Sequence, residues 1–243
     1  GRGPLFYKTG APVSFRRTGG RSGMEIPSER EVTHMKLSQL MIGVDAAYAD
    51  GEMEIEGITC DSRRVKQGWA FVCIQGTAAD GHAFAQKAVE AGASLVVAQR
   101  DLGLACQLMV PSTRRAWARM SANWFGNPAE KLHLVGITGT NGKTSTTYML
   151  KAIMEACGYK VGLIGTIQNM IGDRVLPAGH TTPDPYDLQS MLSLMAAEGC
   201  TYAVMEVSSH ALDQDRVEGC AFDVAVFTNL TQDHLDYHKT MEN

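Results

Sequence analysis

Gly139-Thr140-Asn141-Gly142-Lys143-Thr144 constrains this chain more than any other stretch of its 243 residues. Before it, His133-Leu-Val-Gly-Ile137 is a short apolar run that reads as a buried strand. After it, the spacing predicts a helix over 143–157, stopped by Gly158. A glycine-rich turn between strand and helix directs backbone N–H groups onto a phosphate, and the helix N-terminus adds partial positive charge. In such a loop Lys143 would reach the β/γ-phosphates and the Thr144 hydroxyl would hold Mg²⁺. The general phosphate-loop pattern asks for glycine at position 137, where Ile137 stands; Gly136 lies one place early.

The rest of the chain repeats this strand–helix alternation. Trp69–Ile74, Ala93–Ala98 and Gln107–Val110 read as strands, with helices over 83–91 and from a Ser112 cap to Trp124. Gly126-Asn127-Pro128 is a linker signal. Beyond it, Lys160–Ile164, Tyr202–Met205 and Val224–Phe227 read as strands and 187–197 as a helix. The expected fold is α/β: a small N-terminal α/β domain over 35–128, then a mostly parallel, P-loop-type sheet domain over 129–243. The second domain is expected to be truncated, because the strand pattern stops unfinished and would leave an apolar sheet edge uncovered. Residues 1–34 are read as a leader. Its first 23 residues carry six glycines, five basic residues and no acid, which favours a translated upstream segment over a transit peptide.

Three further segments carry candidate chemistry. Met205-Glu206-Val-Ser208-Ser-His210 begins where a buried strand ends, and ligands in open parallel sheets sit beyond such ends. A Glu206 carboxylate there suits a hard cation. Thr228–His238 clusters Asp233, His234, Asp236 and His238 after another strand, a set that as bare residues is usually solvated loop. His180-Thr181-Thr182-Pro183-Asp184-Pro185 reads as a turn and helix start, with Asp184 as cap and Pro185 at the first helical position.

Together with Asp61-Ser62-Arg63 and Asp80-Gly81-His82, these segments resemble the Mur ligase family, in the family's order from about Met35 to Asn243. The family's phosphate loop reads GTNGKT, which accounts for the departure at Ile137. The companion motifs resemble the branch that adds the third residue of the peptidoglycan stem peptide. The resemblance implies ATP as co-substrate, cradled by Gly139, Thr140, Asn141, Gly142, Lys143, Thr144 and Ser145. It implies Mg²⁺ held by Thr144 and Glu206, with a second ion at His234, and catalytic roles for Lys143 and His234. Ser62 and the Thr77-Ala78-Ala79 turn would hold the uridine end of UDP-N-acetylmuramoyl-L-Ala-D-Glu. Thr181 and Thr182 would meet its muramoyl-dipeptide part, and Ser208, Gln214 and Arg216 its reacting end. The incoming group would be a diamino acid, diaminopimelate or lysine. The family's carbamoylated lysine and third, Rossmann-like domain are expected beyond Asn243, so little turnover is expected of this chain alone.

Composition bounds the alternatives. A net charge of -4 speaks against nucleic acid as partner, and no apolar run nears the ~20 residues that span a bilayer. Six scattered cysteines without a CxxC pair fit a reducing compartment, so a cytoplasmic location is expected; a monomer is expected as well. A non-catalytic binding fragment, another Mur-type ligase and a folate ligase remain as competing readings. A generic P-loop NTPase is disfavoured by Glu206 standing where an aspartate would close the strand.

Overall fold

The computed structural model describes residues 34–48, 50–76 and 79–241. The leader expected over 1–34 lies outside these except for His34, as do Thr77 and Ala78 of the uridine turn.

The N-terminal part opens with a two-stranded pairing of β1 (Met35–Lys36) and β2 (Glu54–Ile55), with the short helix α1 (Leu37–Leu40) between them. A four-stranded, all-parallel sheet follows in simple sequence order: β3 (Gly57–Thr59), β4 (Trp69–Val72), β5 (Leu95–Ala98) and β6 (Gln107–Met109). The helix expected over 83–91 starts instead as a 3₁₀ turn, Gly81–Phe84, before α2 (Ala85–Glu90). Asp80 is the cause: its carboxylate accepts from the His82 amide and holds the first turn tight. Helix α3 (Thr113–Trp124) is capped as expected, Ser112 accepting from the Arg115 amide. It buries Ala116, Trp117, Met120 and Trp124 against Ile58, Val72 and Leu108 of the sheet.

The second sheet has six strands in the order β10-β9-β8-β11-β7-β12. Its parallel part comprises β7 (His133–Thr138), β8 (Val161–Ile164), β11 (Tyr202–Glu206) and β12 (Val224–Phe227). An antiparallel hairpin not expected from the sequence, β9 (Asn169–Ile171) and β10 (Arg174–Leu176), extends the far edge. Alternation along the strands sends Leu134, Ile164, Ala203 and Met205 to one face, under Leu188, Met191, Leu192 and Met195 of α5 (Pro185–Ala197). Val135, Ile137, Val161 and Val204 go to the other face, under Leu150 and Met154 of α4 (Lys143–Ala156). Both faces of the central strands are thus apolar, as a doubly covered parallel sheet requires. Each fully buried side chain of α5 contributes roughly 1.5–3 kcal/mol, enough to hold the helix against the sheet. At the β12 edge, Val224 and Phe227 are exposed.

The mostly parallel α/β class expected from the sequence is therefore what the chain adopts. Among the described residues, no helix is long and apolar enough to cross a membrane, and all six cysteines are unpaired.

Candidate active site

The carboxyl ends of β7, β8, β11 and β12 lie side by side, so the loops that follow them meet at one end of the sheet. The 139–144 loop leaves β7. Gly139 holds φ +124°, open in practice to glycine alone, and a Cβ there would overlap the Thr228 hydroxyl and come within 2.8 Å of the Asn229 carbonyl. That close approach is needed because the loop is braced by the strand-end residues after β12. The Asn229 carbonyl accepts from the Thr140 amide at 2.9 Å. The Asn229 side chain accepts from the Asn141 amide (3.1 Å) and donates to the Asn141 carbonyl (3.0 Å). Thr228 donates to the Asn141 carbonyl at 2.7 Å, and Thr140 and Thr231 exchange two more bonds. The loop is thus pinned from outside, leaving the first-turn amides of α4 without intrahelical acceptors and facing the site. Lys143 lies back over its own loop, its Nζ donating to the carbonyls of Gly139 (2.7 Å) and Thr140 (3.1 Å).

Glu206 ends β11 in register with Ile137 and is 1% exposed. Its Oε2 accepts from the Thr144 hydroxyl at 2.9 Å and the Thr166 hydroxyl at 3.1 Å; its Oε1 accepts from the Thr166 amide at 2.9 Å. All three donors are neutral. A buried carboxylate served only by neutral donors keeps most of its charge uncompensated. With the Thr144 hydroxyl beside it, that oxygen pair suits a hard divalent cation, which takes its remaining ligands from water and phosphate. Gly165 is part of the same fit, because a Cβ there would collide with Oε1 of Glu206.

Thr182 joins this centre to the next segment. Its hydroxyl donates to the Glu206 carbonyl (2.9 Å) and accepts from the Ser208 amide (3.0 Å). Its own carbonyl accepts from Arg216 Nη1 at 2.9 Å. Arg216 also forks onto Gln214 Oε1 through Nε (3.0 Å) and Nη2 (2.7 Å). Gln214 then donates to the Tyr237 hydroxyl, which donates to Asp213. Ser208 caps the short helix α6 (Ser209–Asp213), accepting from the Ala211 amide. Thr181 meets the Thr166 hydroxyl at 3.0 Å. Thr181, Thr182, Ser208, Gln214 and Arg216 therefore form one network with Glu206.

His234 precedes α7 (Leu235–His238) in the left-handed region, at φ +53°. Its ring lies 4.7 Å from that of His210, which also stacks near Tyr237 and His238. Burial, followed by His234 and His238, pushes the His210 pKa down. Among the described residues, no group of three or more His, Cys, Asp or Glu side chains has metal-binding geometry.

The N-terminal candidates divide. Ser62 sits in the turn after β3, where Asp61 pairs with Arg63 at 2.7 Å and accepts from its amide. Asp80 and His82 prove to be framework. His82 Nε2 accepts from the Gln99 amide, so Nδ1 carries the proton donated to Asp80 at 2.6 Å. Hydrogen bonds from His82, and then from Arg100, hold the Asp80 carboxyl well below the usual range. The Ala79 carbonyl accepts from the Gly76 amide.

Sequence reasoning missed Thr166, which supplies two of the three donors to Glu206. It also missed the bracing role of Thr228, Asn229 and Thr231, although the segment itself had been singled out. The signal for both is strand order: once β8, β11, β7 and β12 are neighbours, their C-terminal residues must meet.

Comparison with known proteins gives two family matches: the description "Mur ligase family, catalytic domain" over 54–119 and "Mur ligase middle domain" over 137–243. A UDP-N-acetylmuramoyl-L-alanyl-D-glutamate–2,6-diaminopimelate ligase of Caldanaerobacter subterraneus subsp. tengcongensis is 50% identical over 212 residues, covering 86% of this chain and 44% of the relative. The same-named ligase of Bacillus cereus is 53% identical over 190 residues, 78% of this chain and 39% of the relative. Among solved structures, a ligase of that name superposes with a TM-score of 0.72 at 29% identity, covering 86% of this chain and 42% of its own. A MurF structure from Acinetobacter baumannii shares the fold, with a TM-score of 0.57 at 23% identity over 88% of this chain and 45% of its own. The chain spans less than half the length of the curated relatives it matches.

Proposed function

We propose that this chain, which belongs to the Mur ligase family, is the nucleotide- and substrate-binding portion of an ATP-dependent amide ligase that extends UDP-N-acetylmuramoyl-L-Ala-D-Glu by diaminopimelate. The observation that carries this reading is the single network running from the phosphate loop through Thr144 and Glu206 to Thr182, Ser208 and Arg216. It sets a phosphate-and-cation centre directly against a cationic, hydroxyl-rich segment suited to an anionic acyl substrate.

Residues 35–128 hold the uridine end, through Ser62 and the turn that includes Ala79. Residues 129–243 hold ATP and the dipeptide. Reaction proceeds by transfer of the γ-phosphoryl group of ATP to the substrate's terminal carboxylate, with loss of ADP. The amine of the incoming diamino acid then forms the amide and inorganic phosphate leaves. The first step brings two anions together, so its barrier is electrostatic, and positioning dominates catalysis. Gly142–Ser145 orient the phosphates with backbone amides, while Asn141, its own amide held by Asn229, shapes the loop around them. Lys143, already over the loop, supplies a charge to the transferred group. Arg216, held in its fork by Gln214, orients the acceptor carboxylate. Thr144 and Glu206 would hold Mg²⁺, and His234 a second ion; the charge such ions would supply there would offset that of the phosphates and of the γ-phosphoryl group. ATP and a nucleotide-activated sugar place this work in the cytoplasm.

Because the chain spans under half of its relatives, the test is binding rather than turnover. UDP-N-acetylmuramoyl-L-Ala-D-Glu is expected to bind, and both Ser62→Ala and Arg216→Ala are expected to weaken it. Binding indifferent to both substitutions would remove the substrate assignment.

A further inference from the structure

The two candidate substrate segments, around Ser62 and around Thr182–Arg216, sit on different sheets; Arg115 and Arg119 of α3 reach Glu218 across the seam, and a separate contact lies closer to the two segments. Trp117 of α3 donates from Nε1 to Asp184 Oδ1 at 2.9 Å, across 67 residues of sequence. Asp184 is also the cap of α5, accepting from the Tyr186 amide. The Tyr186 ring stacks on Trp117 (6.0 Å between centroids, 9° between planes) and meets Phe125 edge-on at 5.0 Å. Tyr186, from the second sheet's helix, thus packs against the N-terminal core. Asp184 is only two residues from Thr182, whose hydroxyl and carbonyl bond to Glu206, Ser208 and Arg216. On the other side, Cys60, two residues before Ser62, packs against the same core cluster as Tyr186. The strand end that leads into the Ser62 turn thus shares a core with the start of α5.

This contact is costly to keep. Burial pushes the Asp184 carboxyl pKa up, an effect opposed first by the Trp117 hydrogen bond. An asparagine would cap α5 and accept from Trp117 without that penalty, so helix capping alone does not account for a carboxylate here. What the carboxylate adds is a stronger, charge-assisted bond to the Trp117 side chain that reaches it from the N-terminal part.

We infer that Trp117 and Asp184, with Tyr186 clamped between Trp117 and Phe125, form a positioning latch that fixes the span between the nucleotide-end and dipeptide-end segments. This rests on the proposed substrate. A ligand bridging both segments gains affinity only when their separation matches its length, because the second end then binds at a high effective concentration. A ligand that occupies one segment gains nothing from the latch.

Titration calorimetry with two ligands, UDP and UDP-N-acetylmuramoyl-L-Ala-D-Glu, separates these effects. Trp117→Phe keeps the stacked ring and deletes the donor; Tyr186→Leu removes the stack should the first variant lose its fold. For either variant that stays folded by near-UV circular dichroism, UDP affinity is expected within twofold of the parent. Affinity for the bridging ligand is expected to fall about tenfold or more. Asp184→Asn, which keeps an acceptor but loses the charge, is expected to bind the bridging ligand more weakly than the parent and more tightly than Asp184→Ala. Equal loss for both ligands, or loss for neither, overturns the latch while leaving the substrate assignment intact. If the parent chain binds neither ligand, the substrate assignment and the latch fall together.

Discussion

Replacing Glu206 by glutamine separates a metal-holding carboxylate from a structural one. In the parent, Oε1 accepts from the Thr166 amide, and Oε2 from the hydroxyls of Thr144 and Thr166. In the variant, the amide oxygen keeps the Thr166 N–H. The new NH₂ takes the Oε2 position and donates to the hydroxyls, which rotate to accept. Thr166 then turns its proton towards Thr181, 3.0 Å away. The Thr144 hydroxyl, only partly buried, turns its proton to solvent, so no fully buried polar group is orphaned. Removing the buried charge relieves a desolvation penalty of several kcal/mol, while three charge-assisted hydrogen bonds of roughly 1.5–3 kcal/mol each are weakened. These nearly cancel, so the unliganded variant should melt within about 5 °C of the parent, at ~2–4 °C per kcal/mol for a chain of this size. The liganded difference should be large. Mg²⁺·ADP at ~100 times Kd stabilises the parent by about 2.7 kcal/mol, or about 5–10 °C. A roughly hundredfold loss of affinity leaves the variant about 0.4 kcal/mol, or about 1–2 °C. Differential scanning fluorimetry with and without Mg²⁺·ADP reads both numbers. A variant that keeps the full ligand shift, or one whose unliganded midpoint collapses, would refute the reasoning.

Two other positions give sharp expectations. Gly139→Ala forces a side chain into a φ of +124° and against the Asn229 backbone; strain of ~1–3 kcal/mol should lower the melting midpoint by about 2–12 °C, and nucleotide titration should show weakened binding even below that midpoint. Asp80→Asn should destabilise the N-terminal sheet in a pH-dependent way: the folded pKa is lowered, so the Asp80 contribution is present above its unfolded value of about 3.9 and lost as pH falls through the lowered folded value. The gap in midpoint between Asp80→Asn and parent should therefore be open at pH 7 and close below about pH 4; a gap that widens in acid would contradict it.

The parts of the fold that sequence made legible are those with local causes. Short apolar runs marked β4, β5, β7, β8, β11 and β12, and caps marked α3 at Ser112 and α5 at Asp184 with Pro185 behind it. The β9–β10 hairpin escaped because three residues a side, turning at Gly172-Asp173 with Val175 exposed, give too short an alternation to read. Within the site, the phosphate loop was legible despite Ile137, because its flanking strand and helix were. The donors to Glu206 were not: Thr166 lies 40 residues away and becomes its partner only when β8 pairs with β11. Trp117 and Asp184 were each visible in a helix, one along it and one at its start, yet nothing local says that they touch. Long-range pairing of this kind depends on how two sheets pack.

The substrate assignment is tested most directly by calorimetric titration of this chain with UDP-N-acetylmuramoyl-L-Ala-D-Glu, beside Ser62→Ala and Arg216→Ala. One-to-one binding by the parent, weakened by each substitution from a different sheet, is the predicted result. A folded parent that binds no ligand, or one whose binding ignores both substitutions, would contradict it and leave only the nucleotide loop standing.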